Sequence, residues 1–175
     1  MSDDKKIREA TALDSTNVQR LWCGLSFAEW LVVIVAVLGV LHHTDHVLRW
    51  DHSGWPFKPE VTPFTYSLLV YPLLLVIFAL RSRPWARVVI MAFLFVAIQS
   101  AHVFAETPYQ QYYTWAAGVS SSAYAAGHPN LLHVASPVLG VLAAAISIAL
   151  SLALLAALIA LIAEAKRQNR ASTAL

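Results

Sequence analysis

The sequence predicts an all-α integral membrane protein: four transmembrane helices in an up-down bundle, with both termini cytoplasmic. Three observations predict it. Of the 175 residues, 58% are apolar and only 13% are charged, against roughly 45–50% and about 25% in soluble domains. The apolar residues gather into four runs, near 27–48, 64–81, 86–106 and 136–163, on the scale of the ~20 residues that carry a helix across hydrocarbon. Of the 12 Lys and Arg residues, all but Arg49 and Lys58 precede the first run, separate the second from the third, or follow the fourth. The positive-inside rule assigns those three segments to the cytoplasm. One transmembrane domain in the cell (plasma or inner) membrane is expected, with outer loops at 49–63 and 107–135. The net charge of +2 follows from this topology and gives no reason to expect nucleic acid.

Each element has a local cause. About 25 mostly polar residues precede the first run, so that run is expected to act as an uncleaved anchor. A short interfacial helix ending near Trp22 is conceivable there, and the lone Cys23 lies on the reducing side, unable to form an internal disulfide. The first run, "WLVVIVAVLGVL", carries almost nothing polar. The loop after it holds Gly54, Pro56, Pro59 and Pro63, which break regular structure. Trp50, Trp55 and Phe57, with Tyr109, Tyr112, Tyr113 and Trp115 in the other outer loop, suit an interfacial aromatic belt. Pro72 is expected to kink the second span. "RSRPWAR" reads as the tight cytoplasmic turn, and Gly140, Ala144, Ser147 and Ser151 as small residues that let neighbours approach the last span. Glu29, near the cytoplasmic face, is expected to reach interfacial water by itself.

The chemistry concentrates where the first span ends, in "GVLHHTDHVLRWDH". Residues three and four apart share a helix face, so His42, Asp45, His46 and Arg49 form one stripe and His43 turns about 100° away. Gln99, His102 and Glu106 form a second stripe on the third span. Counted from Glu29 and Arg87 at about 1.5 Å per residue, His42 and His102 differ in depth by only roughly 3 Å. Ionisable groups in lipid face the bundle interior and pair, so the two stripes are expected to meet.

An imidazole pair at i and i+4, beside an imidazole–carboxylate pair at the same depth, is a donor set for Zn, Fe, Cu or Mn. The expected ligands are His42, His46, His102 and Glu106, with Asp45 as a fifth ligand or as a partner fixing an imidazole tautomer, and His133 if its loop folds inward. His52 and His128 read as loop residues. Three function classes follow. The first is a metal-dependent enzyme acting on a lipid-like or apolar substrate, with Glu106 or Asp45 as general base. The second is a haem b subunit passing electrons to quinone. The third is an accessory subunit that docks a membrane-protein partner through the 107–135 loop.

The topology has a direct test. In a Cys23→Ser background, a membrane-impermeant thiol reagent added outside should label Ser53→Cys and spare Ser82→Cys. The opposite pattern would mean an inverted protein.

Overall fold

The computed structural model describes residues 24–49, 63–121 and 126–173. The proposed N-terminal interfacial helix, Cys23, and the aromatic residues and His52 of the 50–62 loop lie outside them. The helices are α1 (Phe27–Arg49), α2 (Pro63–Ser67), α3 (Val70–Ala79), α4 (Pro84–Phe104), α5 (Pro108–Ala117) and α6 (Pro137–Thr173). Three of them, α1, α4 and α6, are long and apolar enough to cross a membrane, as a multi-pass membrane protein requires. No strand occurs among the described residues, although an isolated antiparallel bridge joins Val119 and Pro129.

Local sequence sets the boundaries. α1 starts at a reciprocal cap: the Glu29 amide donates to Ser26 Oγ at 3.2 Å, and the Ser26 amide donates to Glu29 Oε2 at 2.9 Å. The helix does not stop at residue 48; Arg49 is its last residue and is fully buried, which corrects its assignment to the outer loop. The expected second span, 64–81, is instead two helices separated by a turn at Leu68 and Leu69. Pro72 explains the position of the break. Its ring clashes with the carbonyl four residues back, that of Leu68, and it has no N–H to offer it. The Leu68 carbonyl accepts from Tyr71 at 3.3 Å instead, in a tighter turn.

The 107–135 segment is not all loop. Thr107 and Gln110 form a capping box, Pro108 occupies the first turn, and Gly118 ends α5 at φ 77° in the left-handed region. α6 continues ten residues past the expected boundary at 163, to Thr173. Its 37 residues span roughly 55 Å at about 1.5 Å each, more than the ~40–45 Å of a whole bilayer.

α6 is the central element, packing against α1, α4 and α5, while α3 packs on α4 and α1. The core runs through Val32 and Val35 of α1, Leu74 and Ile77 of α3, Met91 and Leu94 of α4, and Leu150, Leu154 and Leu161 of α6. α5 lies so close to α6 that a Cβ on Gly140 would fall 2.6 Å from the Tyr112 carbonyl oxygen. At Gly39 the nearest atoms would be 3.8 Å away, on Tyr71. Gly140→Ala should therefore force α5 outward and cost about 1–3 kcal/mol, read as a lower melting temperature in detergent. Gly39→Ala should melt like the parent or slightly higher.

Candidate functional site

The two polar stripes meet, and a guanidinium organises them. Arg49 has a fully buried side chain and, among the described residues, reaches Asp45, Glu106 and His46. Its Nε donates to Asp45 Oδ2 at 2.6 Å, its Nη1 to Glu106 Oε1, and its Nη2 to Glu106 Oε2 at 3.3 Å. Nη2 also lies 3.2 Å from His46 Nδ1. The i,i+4 spacing on α1 aims Arg49 back at Asp45. Glu106 arrives just past the end of α4, where its amide donates to the Ala101 carbonyl. α5 closes the layer from above. Trp115 Nε1 donates to Asp45 Oδ1 at 2.7 Å, and Gln111 Nε2 reaches Glu106 Oε2 at 3.5 Å and Ser147 Oγ at 3.3 Å.

The imidazoles stand one step inward. His42 Nε2 is 2.9 Å from His46 Nε2 and 3.3 Å from His102 Nε2, and the rings meet edge to face. Ser147 Oγ of α6 lies 3.4 Å from His102 Nε2. His46 Nδ1 faces Glu106 Oε2 at 3.3 Å as well as Arg49. The proton position decides which contact is a hydrogen bond. A proton on Nδ1 donates to Glu106 and leaves the Nε2 lone pair turned to His42; a proton on Nε2 reverses both roles.

Of the expected ligands, His42, His46 and His102 therefore converge, and Glu106 stands directly behind His46. Asp45 takes neither ligand nor tautomer-fixing position, because Arg49 and Trp115 hold its two oxygens. His133 is exposed at φ 52° in the turn before α6 and is not brought into the layer. Among the described residues, no group of three or more His, Cys, Asp and Glu side chains is placed so that it could hold a metal ion: the two close contacts share His42, and Glu106 is turned toward Arg49. His128 is exposed, as its loop reading implied.

Four members of the layer escaped the sequence reading. Arg49 lay on the predicted stripe but had been given to the loop. Gln111 and Trp115 sit one turn apart on α5, whose signal was the "TPYQ" capping box; Trp115 is buried, not part of a belt, whereas Tyr109 and Tyr113 are exposed. Ser147 was read as a packing residue. A second correction lies at the inner end. Glu29 does not reach water alone: it is buried and accepts from Arg81 at 2.7 and 3.0 Å and from Arg87 at 3.2 Å, while Arg87 also donates to Glu164 at 2.7 Å.

A cavity of about 90 Å³ opens beside the imidazoles, between α1, α2, α3 and α4. His42, His46, His102 and Glu106 line it; Asp45 is not among the lining residues. No protein-family model, curated protein or solved structure matches the chain.

The ionic layer carries its own prediction. Removing one partner of a buried charge pair leaves the rest uncompensated, a loss of about 3–5 kcal/mol. Arg49→Met should lower the melting temperature steeply. The double change Arg49→Met with Glu106→Gln should recover part of the loss. If Arg49→Met melts like the parent, the layer does not hold the helices together.

Proposed function

We propose that His42, His46 and His102 hold a transition-metal ion at the outer end of a membrane bundle, and that the site serves chemistry on an apolar or lipid-like substrate. The carrying observation is the spacing of the three Nε2 atoms, 2.9 and 3.3 Å about His42. Bonds of about 2.0–2.1 Å to one ion, at octahedral to tetrahedral angles, set neighbouring nitrogens roughly 2.9–3.4 Å apart. Rotation of the half-buried His102 ring completes the approach, since His42 and His46 are already fixed one turn apart on α1.

Charge supports the same reading. The carboxylates of Asp45 and Glu106 both belong to the layer, and carboxylates favour a cation nearby. Glu106 behind His46 matches the carboxylate–imidazole pairing that orients metal ligands. When bound, the ion supplies Lewis acidity and an activated water. Glu106, at the cavity wall, is the candidate base, and Asp45 is a positioning residue acting through Arg49.

Haem b fits less well. Axial imidazoles across a haem iron stand on opposite sides, roughly 4 Å apart with the porphyrin between them, whereas these nitrogens nearly touch. The reading places α2 and α3 together as a short, broken fourth crossing. It keeps both termini cytoplasmic and sets the site on the outer side of the cell membrane.

Elemental analysis and an optical spectrum of purified protein test the metal directly. The expected result is stoichiometric transition metal without a haem band. Chelator should lower the melting temperature, because a ligand at a hundredfold excess over Kd stabilises the fold by roughly 2.7 kcal/mol. His46→Ala and His102→Ala should lose both the metal and the chelator effect, and His128→Ala should keep them. The pH dependence has a definite sign: ligand imidazoles must be neutral, so metal and its stabilisation are present at neutral pH and lost as acid protonates the cluster. Identical melting with and without chelator, together with metal-free protein, removes this function.

A further inference from the structure

The cavity has a second polar wall that the metal site does not use. His43 Nδ1 lies 2.6 Å from Tyr71 Oη, and His43 Nε2 lies 2.9 Å from Ser67 Oγ. Ser67 itself donates to the Phe64 carbonyl at 2.7 Å. With its proton committed there, the Ser67 oxygen accepts from His43 Nε2–H. A neutral imidazole carries one N–H, so Nδ1 accepts from the Tyr71 hydroxyl. The Tyr71 oxygen keeps lone pairs to accept from a further donor. His43, Ser67 and Tyr71 line the same space as His42, His102 and Glu106.

The cavity also has a direction. Its outer end carries these polar groups together with Phe64 and Val70, while Val35, Leu74, Ile98 and Leu150 line the other end. Chain order sets the gradient: Val35 precedes His42 on the outward-running α1, Ile98 precedes His102 on α4, and Leu74 follows Tyr71 on the inward-running α3. None of the described lining residues is Lys or Arg, so no described side chain there offers a phosphate a permanent cation. Its volume of about 90 Å³ is smaller than the ~150 Å³ of an engineered cavity that accepts benzene, so it has room for a hydroxyl and the first few carbons of a slender chain.

We propose that the cavity binds an uncharged, single-chain amphiphile bearing a hydroxyl. The hydroxyl lies between the imidazole trio and Tyr71, donating to Tyr71 Oη, the first carbons of the chain lie against Leu74 and Ile98, and the rest of the tail extends out of the cavity into lipid. This names the substrate class of the metal site and rests on that reading for the reaction, while the binding itself stands on the cavity.

Photolabelling in lipid nanodiscs tests it, using decanol with a diazirine at the third carbon. Adducts should map to Val35, Leu74 or Ile98, and unlabelled decanol should compete while decyl phosphate should not. Gly39→Leu, which points its side chain at Tyr71, should abolish these adducts. Tyr71→Phe keeps the ring and the fold, and loss of one hydrogen bond should weaken decanol competition about two- to tenfold. Adducts confined to outward-facing residues such as Val89 and Phe93, equal competition by decyl phosphate, or unchanged competition in Tyr71→Phe would overturn the proposal. Running both arms with and without chelator separates the two readings. Specific adducts in protein that never holds metal keep the binding site and remove the metal. Metal-loaded protein without such adducts keeps the metal and removes this ligand.

Discussion

A guanidinium with no exposed surface, at the C-terminal end of an apolar helix, constrains everything around it. Arg49 must be paired, since a buried charge without a partner is far more costly than the hydrocarbon packing around it can offset. Asp45 satisfies it from the same helix and Glu106 from the end of α4. Trp115 then holds the second oxygen of Asp45 from α5. A single side chain thus sets where three helices stand. The inner end repeats the device with Arg87, Glu29 and Glu164. Between the two clusters lies the apolar core. Lipid tails are as apolar as leucine, so hydrophobicity alone gives helices in a bilayer little reason to choose a register. Sliding α1 along α4 by one turn would break the ion pairs at both ends at once, and that is what fixes the register here.

α5 is the part of the structure that converts a polar layer into an enclosed one. Its capping box and left-handed Gly118 make a short helix independent of the membrane, and Gly140 lets it lie against the start of α6. From that position Gln111 spans Glu106 and Ser147, so the carboxylate of α4 and the hydroxyl of α6 share one donor group. The layer therefore has a roof made of its own hydrogen-bond partners. Access to the imidazoles is left to the side, through the cavity between α1 and the broken α2–α3 pair. The break at Leu68 and Leu69 belongs to this design: it turns Ser67 and Tyr71 toward His43, both within hydrogen-bond distance of one ring.

Much of this was legible in the sequence, and the failures have physical causes. Periodicity gave the two stripes and depth counting brought them to one layer, because helical rise and hydrocarbon thickness are nearly invariant. Basic-residue asymmetry gave a topology but misled about Arg49, since the rule reads charge as solvated and cannot see a cation neutralised inside the bundle. The same assumption left Glu29 to water when Arg81 and Arg87 were waiting across the bundle. α5 was missed because aromatic and amide residues in an outer loop carry little hydropathy signal, although its Thr107–Gln110 cap was visible. The kink at Pro72 was anticipated, but its consequence, a full break four residues earlier, depends on whether a neighbouring helix re-satisfies the freed carbonyl. Here a tight turn does so instead.

Two kinds of polar group share the outer layer, and they behave differently. Arg49, Asp45, Trp115 and Gln111 are held by directional bonds that fix position. The imidazoles of His42, His46 and His102 crowd their Nε2 atoms together, and hydrogen bonding alone serves that crowd poorly. If His42 Nε2 is unprotonated, one lone pair must accept from two donors; if protonated, its single proton can serve only one neighbour. Helix association could be achieved with a serine or an asparagine at a smaller desolvation cost. Under the proposed reading, a cation among the three rings would take the place of those competing contacts. The ion layer and the imidazoles are thus complementary: the first fixes the helices in register, and the second is the group on which the proposed cation site rests.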